Sequence, residues 1–324
     1  MIRPISFIAR QVKSVRECWL NQSVTECLAG SVVRLMDIGA AGEIQSRWRT
    51  ISNCIDYIGF EPDERSRTKL LRANHGCAHY TILPNLVWGS DGNLNLHLCR
   101  KPQTSSAFTP NKSFLINFPD AARYDVMDKI NLPTSRLDSC DVQDVDFIKI
   151  DVQGGELEVL SGASNLLSST LGLEVEVEFN YLYQGQPLFG AINESLTKTG
   201  FEFIDFVTLC RWERTGFNGF GQIAFGDALY LRSPEFIAQQ VISSALPTRK
   251  LKAYIAICLL YKKFDLVIVL ENLLKTQDPK LSNFIRNYRP LQRLKQLDNF
   301  TRRLGTLVSR ITAASGGYNL HMLP

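Results

Sequence analysis

An apolar strand runs into a glycine turn at Leu35-Met36-Asp37-Ile38-Gly39-Ala40-Ala41-Gly42, and Tyr57-Ile58-Gly59-Phe60-Glu61-Pro62-Asp63 answers it about twenty residues later. A strand, a glycine-rich turn and a second strand closed by a carboxylate are how an α/β sheet presents itself to an adenosine-containing ligand. The glycines let the backbone approach the ligand, and the acid accepts hydrogen bonds from ribose hydroxyls. A glycine turn after an apolar strand also arises from sterics alone, so the pair needs support from the rest of the chain.

That support begins with the alternation of strand and helix. A helix from about Ser14 to Leu28 is placed to cover a sheet edge before the strand Val32–Ile38. Strand Tyr57–Phe60, a helix from Asp63 to Asn74 and strand Thr81–Trp88 follow. Ser90-Asp91-Gly92-Asn93 is a turn signal between two short strands, the second with Leu94, Leu96 and Leu98 alternating against Asn95, His97 and Cys99. The polar stretch through Pro119 reads as a long loop, of the kind that forms a lid or faces substrate.

Order returns at Val145–Asp151, a strand that leads through Gly154-Gly155 into a helix from Glu156 to Leu167. In the next strand, Leu173–Phe179, the two-residue period sets Glu174, Glu176 and Glu178 on one face. Three carboxylates on one strand face predict that part of it is exposed, paired or in a site. Strands at Phe201–Phe206 and Gln222–Leu231 complete the pattern. Repeated strand-then-helix units favour an α/β sheet with helices on both faces.

After about Pro234 the pattern turns helical. Leu291, Leu294, Leu297, Leu304, Leu307 and Ile311 form a stripe beyond the break expected at Pro290, read as a packing face. From Arg249 onward 14 Lys and Arg stand against 4 Asp and Glu, a balance of +10 in a chain of net charge +4, so the preceding residues sum to −6. An acidic body with a basic tail directs any anionic partner or membrane surface to the C-terminal part, unless the charge is only the solvated face of a helical appendage.

The eight cysteines are widely spaced without a CxxC pair, which argues for reduced thiols rather than a disulfide frame or a zinc site. No compact apolar core with a cleavage site marks a secretory signal, and Lys262, Lys263 and Asp265 interrupt the apolar stretch Leu251–Leu270. The expectation is a cytoplasmic protein without a transmembrane span. No GxxxxGK[ST] phosphate loop is present, and Gly39-Ala40-Ala41-Gly42 lacks the full GxGxxG form, which makes an NAD-dependent oxidoreductase the weaker reading.

The combined pattern resembles the FkbM-type methyltransferase family, a branch of the class I S-adenosylmethionine-dependent methyltransferases. The residues that carry the resemblance are Asp37–Gly42, Gly59–Asp63, and the long block from Leu137-Asp138 through Asp146-Phe147-Ile148-Lys149-Ile150-Asp151-Val152-Gln153-Gly154-Gly155-Glu156 to Leu160–Ala163. It continues with Glu176–Asn180, Tyr183–Phe189 and Gly221–Leu231, and so covers roughly residues 30 to 232. The middle block is the most specific part. The resemblance implies a Rossmann-like methyltransferase sheet of seven mostly parallel strands with one antiparallel, helices on both faces, and a C-terminal helical extension. The division expected is an N-terminal helical cover over 1–29, the methyltransferase domain over 30–232 and a basic helical region over 233–324.

The same resemblance implies S-adenosyl-L-methionine as cofactor and methyl transfer to an oxygen of a saccharide or natural-product small molecule. By that likeness Asp37, Ile38, Gly39, Ala40 and Gly42 shape the cofactor turn, Glu61 with Pro62 meets the ribose, and Asp151 sits between the methionine end and the acceptor. Glu43 departs from related turns, which often carry another glycine there; capping the next helix suits it better than facing a carboxylate.

For the chemistry, an acceptor hydroxyl needs a route for its proton. Asp151 is the first candidate because ligands bind at the carboxyl ends of central strands, with cofactor positioning as its alternative role. Lys149 alternates with Asp151 on one strand face, and is placed to neutralise a carboxylate or an anionic acceptor. Glu176 and His97 are further candidates for proton transfer. Glu176, Glu178 and Tyr183 are candidate acceptor contacts, with Tyr181 and Phe189 beside them. Two alternating glutamates supply only part of the shell a hard cation needs, so no metal is assigned. A nucleic-acid substrate is not expected, since no basic-aromatic motif accompanies the acidic body. A homo-oligomer or a peripheral contact through the C-terminal helices stays open, as does the alternative of a degenerate methyltransferase fold serving as a scaffold through them.

Overall fold

The computed structural model describes residue 18 and residues 20–42, 44–72, 76–214 and 221–287. Its strands are β1 (Val33–Ile38), β2 (Ile55–Phe60), β3 (His79–Leu83), β4 (Leu86–Val87), β5 (Gly92–Cys99), β6 (Val126–Ser135), β7 (Phe147–Ile150), β8 (Gly172–Glu178), β9 (Glu202–Trp212) and β10 (Gln222–Leu231). The helices used below are α1 (Glu64–Arg72), α2 (Glu156–Ser161), α3 (Ser164–Ser169), α4 (Phe189–Lys198), α5 (Pro234–Ile242), α6 (Thr248–Leu260), α7 (Phe264–Gln277) and α8 (Pro279–Asn287).

Seven strands form one sheet in the order β3-β2-β1-β7-β8-β10-β9. All pairs from β3 to β8 are parallel, and β10 alone runs antiparallel, to β8 and to β9. This is the Rossmann-like arrangement expected, with its single reversed strand. β1 and β7 read as apolar runs because both faces of a parallel sheet are covered. One face packs with the helix over residues 20–28 and with α5 to α7, through Val33, Leu35, Phe147, Tyr254, Ile257 and Leu270. The other packs with α2, α3 and α4 through Met36, Ile148, Val159, Leu167, Val175 and Ile192.

The order places the switch point between β1 and β7. From β1 the chain winds one way to β2 and β3, and from β7 the other way, so the loops after β1 and β7 part and leave a crevice between them. Their registers are locked: Asp37 pairs with Lys149 and Ile38 with Ile150.

Several elements differ from the sequence expectation, among them β6, a strand that the sequence reading did not place. The stretch Thr81–Trp88 is two strands in two sheets, β3 and β4, split at Pro84, which has no N–H for a ladder. Ser90-Asp91-Gly92-Asn93 does not close a hairpin. β4 and β5 lie on either side of β6, parallel and antiparallel to it, in a separate three-stranded sheet. The helix predicted from Glu156 to Leu167 is two, α2 and α3, parted at Gly162, where a Cβ would meet the Trp88 carbonyl oxygen at 2.4 Å.

The basic residues at the start of the C-terminal region meet the sheet domain. Arg249 reaches Asp144 and Asp146 with 2.8 and 2.5 Å contacts, and Lys250 Nζ donates to the carbonyls of Val145 and Ser169. Leu251 and Ala253 through Leu260 are buried. Glu43, the stretch 215–220 and the leucine stripe beyond Pro290 lie outside the described residues. No helix among the described residues is long and apolar enough to cross a membrane.

Candidate active site

A cavity of about 270 Å³ opens at the carboxyl ends of β1, β2 and β7. The β1 turn supplies Asp37, Ile38, Gly39 and Gly42, the β2 end supplies Glu61 and Pro62, and β7 supplies Lys149 and Asp151. Three segments far apart in sequence thus meet where the switch point predicts. Apolar walls come from Phe60, Val87 and Trp88, and the long loop closes one side through Pro102, Gln103, Ser105 and Ala107. Arg65 fixes that loop, clasping Asp63 and reaching the Cys99 carbonyl at 3.2 Å and Ser105 Oγ at 3.3 Å.

Gly39 sits at φ +81°, and a Cβ there would stand 1.9 Å from the Asp151 carbonyl oxygen. Its N–H donates to the Phe60 carbonyl, as does that of Ala40. The first glycine therefore serves close packing of three strand ends. A Cβ on Gly42 would meet nothing within 4 Å, so the space beside it is open. Ala40 is buried and does not line the cavity.

A chain of polar contacts crosses the cavity floor. Tyr57 Oη donates to Asp37 Oδ2 at 2.9 Å, and Lys149 Nζ bridges Asp37 Oδ1 at 3.4 Å and Asp151 Oδ2 at 3.3 Å. Gln153 Nε2 then donates to Asp151 Oδ1 at 2.9 Å and to Glu176 Oε2 at 2.5 Å. Tyr183 Oη lies 2.9 Å from Gln153 Oε1 and from the Thr104 carbonyl. Gln153 holds its place at φ +59°, a left-handed conformation uncommon for a residue with a side chain.

Burial pulls the Lys149 ammonium down, but Asp37 and Asp151 outweigh it and hold its pKa above the usual lysine range. Burial raises Asp151 while Lys149 and the Gln153 amide lower it, and the balance leaves it below the ordinary carboxylate value. Glu61 stands opposite: burial pushes it up to about 7, although the Asp63 N–H donates to its Oε1 at 2.7 Å.

The β8 glutamates are all buried. Glu174 is paired, taking Arg47 at 3.1 Å and the Tyr261 hydroxyl at 2.6 Å. Glu176 joins the floor through Gln153. Glu178 is 1% exposed; neither carboxylate oxygen makes a hydrogen bond of ordinary geometry, and the Gln186 amide stands beside it. Burial, with neighbouring Asp151 and Glu156 among the charges, pushes Glu176 and Glu178 well above the ordinary range.

The predicted residues thus divide. Asp37, Ile38, Gly39, Gly42, Glu61, Pro62, Lys149 and Asp151 line one cavity. Glu176 and Tyr183 stand behind it, one bond away through Gln153. Glu178 lies deeper. His97 is buried in the second sheet, its Nδ1 3.3 Å from the Ser106 carbonyl and its Nε2 3.4 Å from Thr109 Oγ1, and it does not line the cavity. Tyr181 is exposed, and Phe189 packs on Phe179, Phe203 and Phe206. Gln153, Tyr57 and the loop residues Gln103 and Ser105 carry no role in the sequence reading. Gln153 stands inside the most specific block, which is the one signal that pointed to it.

The model of the FkbM methyltransferase domain matches residues 37–203, just over half the chain and the whole of this site. The chain belongs to the FkbM methyltransferase family. No curated protein matches the sequence. Among solved structures it is similar to an FkbM methyltransferase from Methylobacillus flagellatus, at 15% identity over 62% of this chain and 43% of that one, with a TM-score of 0.38. The alignment therefore spans less than half of that relative. A TehB-like SAM-dependent methyltransferase from Corynebacterium glutamicum matches at 12% identity, 71% and 97% coverage and a TM-score of 0.33. A precorrin-6y C5,15-methyltransferase from Geobacter metallireducens matches at 13% identity, 65% and 88% coverage and a TM-score of 0.31.

Proposed function

We propose that the protein transfers the methyl group of S-adenosylmethionine to a hydroxyl oxygen of a saccharide or natural-product small molecule. The observation that carries the proposal is the meeting of the Asp37–Gly42 turn, Glu61 and Asp151 around one cavity of about 270 Å³. That volume lies just below the range of small-molecule sites, roughly 300 to 1,000 Å³.

The residues fit the cofactor. The open space beside Gly42 admits a ligand against backbone, and Glu61 offers acceptor capacity to ribose hydroxyls from the end of β2. Trp88, Val87 and Phe60 suit the faces of a purine. When bound, the cofactor supplies an electrophilic methyl group on a sulfonium. Asp37 is buried, with its oxygens held by Tyr57 and Lys149, whereas Asp151 is partly open to the cavity, so we assign Asp37 to positioning the floor rather than to direct contact.

Asp151 is the candidate catalytic residue. About a third of its side chain is exposed, and the cavity is what it faces. Held ionised by Lys149, it would accept the hydrogen bond of the acceptor hydroxyl, orient the oxygen and receive its proton. Lys149 keeps its own proton and therefore serves as the counter-charge, not as a base. The loop from Pro102 to Ala107 and Trp88 limit water at the reacting oxygen. His97 is assigned no part in the reaction, since its ring faces Ser106 and Thr109.

The scaffold alternative gains no support from the first basic residues of the C-terminal region, because Arg249 and Lys250 are engaged by Asp144 and Asp146. The test is product analysis with deuterated S-adenosylmethionine and a metabolite extract. Expected are deuteromethylated hydroxyl compounds formed by the wild-type protein and not by Asp151→Asn; cofactor binding with no labelled product across saccharide and natural-product panels would overturn the proposal.

A further inference from the structure

We propose that Glu156, Glu176 and Glu178 form a site for a hard divalent cation of the size of Ca²⁺ or Mn²⁺, behind the cavity and separate from it. One carboxylate oxygen from each residue lies within 4.8 Å of one from each of the others, and all three side chains are buried. None of the three lines the cavity. A cation with ligands at about 2.3–2.6 Å spans oxygens up to about 5 Å apart across it, so one ion reaches all three.

The second observation is the state of the oxygens. Glu178 Oε1 and Oε2 and Glu156 Oε2 are buried and make no hydrogen bond of ordinary geometry, the one donor beside Glu178 being the neutral Gln186 amide. Buried polar atoms are almost always satisfied, and a carboxylate left bare is among the costliest exceptions. No Lys or Arg forms an ion pair with these three glutamates among the described residues, although Glu174 on the same strand face takes Arg47. A cation supplies the missing charge and the missing partner together, and two free oxygens on Glu178 allow it to bind bidentately.

The neighbouring groups hold the ligands in position. Glu156 Oε1 accepts the N–H groups of Val152 at 3.0 Å and Gly154 at 3.1 Å, which fixes that carboxylate and leaves Oε2 available. Glu176 Oε2 accepts from Gln153 Nε2, the amide that also holds Asp151. A cation here therefore braces the turn from Asp151 to Glu156. The sequence reading assigned no metal, because Glu176 and Glu178 alone supply only part of a shell. The third ligand arrives from α2, a different element, which residue spacing on one strand does not show.

The inference does not depend on which reaction the cavity performs, and it is tested without an activity assay. The full chain, produced in manganese-supplemented medium and dialysed extensively at neutral pH, is analysed by elemental mass spectrometry and by Mn²⁺ electron paramagnetic resonance. Close to one tightly held ion per chain is expected, falling at least tenfold in Glu178→Gln and unchanged in Glu194→Gln, an exposed control on α4. Because the first variant risks misfolding, wild-type protein treated with chelator is also melted with and without 1 mM Ca²⁺ or Mn²⁺. A rise of several degrees supports the site. Absence of bound metal together with unchanged melting, or retention of the ion by Glu178→Gln at the wild-type level, overturns it.

Discussion

Gly39 and Asp151 meet backbone to backbone, so closely that a Cβ on the glycine would stand 1.9 Å from the aspartate carbonyl oxygen. The contact joins the turn after β1 to the end of β7, the two segments that part at the switch point. It also fixes the level at which the Asp151 side chain enters the cavity.

Gly39→Ala is therefore expected to fail twice over, by steric overlap with backbone and by a φ of +81° that alanine resists. The loss is roughly 3 kcal/mol or more, from a strained backbone plus overpacking. Urea denaturation followed by far-UV circular dichroism measures it. Gly42→Ala, where a Cβ meets nothing within 4 Å, keeps wild-type stability and loses cofactor affinity instead. Equal stability loss in both variants would contradict this division of roles.

Glu61 gives a pH dependence whose sign follows from its burial. Its pKa of about 7 in the folded chain exceeds the ordinary 4.5, so the folded state binds this proton more tightly than the unfolded state. The contribution to stability is complete below the unfolded pKa and declines as pH rises through about 7, by roughly 3 kcal/mol at most. Ribose hydroxyls donate to the ionised form, so cofactor affinity rises about tenfold between pH 6 and pH 8 as the ionised fraction grows. Calorimetric titration with S-adenosylmethionine reads the slope directly. Glu61→Gln is expected to bind more weakly and to show a flat profile; a slope equal to the wild type would remove Glu61 from the ribose site.

Lys149 carries one positive charge between two carboxylates, and replacing it with Met leaves Asp37 and Asp151 facing each other without it. Removing one partner of a buried charge network typically costs about 3–5 kcal/mol, reduced here because Asp151 is partly open to the cavity. Thermal unfolding of Lys149→Met is expected to fall by several degrees, with methyl transfer lost. Lys149→Arg is not a substitute, since a planar guanidinium does not occupy the space of an ammonium between the two acids. Recovery of wild-type turnover by the Arg variant would mean that charge alone matters at this position.

What the sequence disclosed follows from the kind of signal each element carries. β1, β2 and β7 are buried on both faces, and their apolar runs ending in Gly or Asp are legible one at a time. β6 is not: its residues are mostly exposed or half-buried, it contains Pro133, and its partner residues stand 27 to 48 positions away. Asp91-Gly92 suggested a local hairpin, but the non-local strand took the place between β4 and β5. The site divides in the same way. Asp37, Glu61 and Asp151 end strands and announce themselves, whereas the Gln153 amide matters only because the fold brings Asp151 and Glu176 to either side of it. The glutamates of β8 were grouped by their period, yet three different environments followed, because their neighbours come from α2, α6 and the loops.

The C-terminal helices provide the final test. We propose that α6 and α7 complete the methyltransferase core rather than form a separable appendage. Tyr254, Ile257 and Leu270 pack in the same apolar cluster as Val33 and Phe147 of the central strands. Tyr261, just after α6, closes on Glu174 of β8 and lies 5.3 Å from the Phe147 ring. Deleting the chain from Thr248 onward uncovers the part of the β1 and β7 face that α6 and α7 cover, leaving the helix over residues 20–28 and α5 on it, and strips Asp144 and Asp146 of Arg249 and Lys250. Each fully buried Leu, Ile or Phe side chain contributes about 1.5–3 kcal/mol, so several lost together exceed the stability of an ordinary domain. The truncated protein is expected to be aggregated or to unfold without cooperativity, as read by gel filtration and thermal melting. A monomeric product with a sharp transition and intact S-adenosylmethionine binding would show instead that residues before Thr248 fold alone.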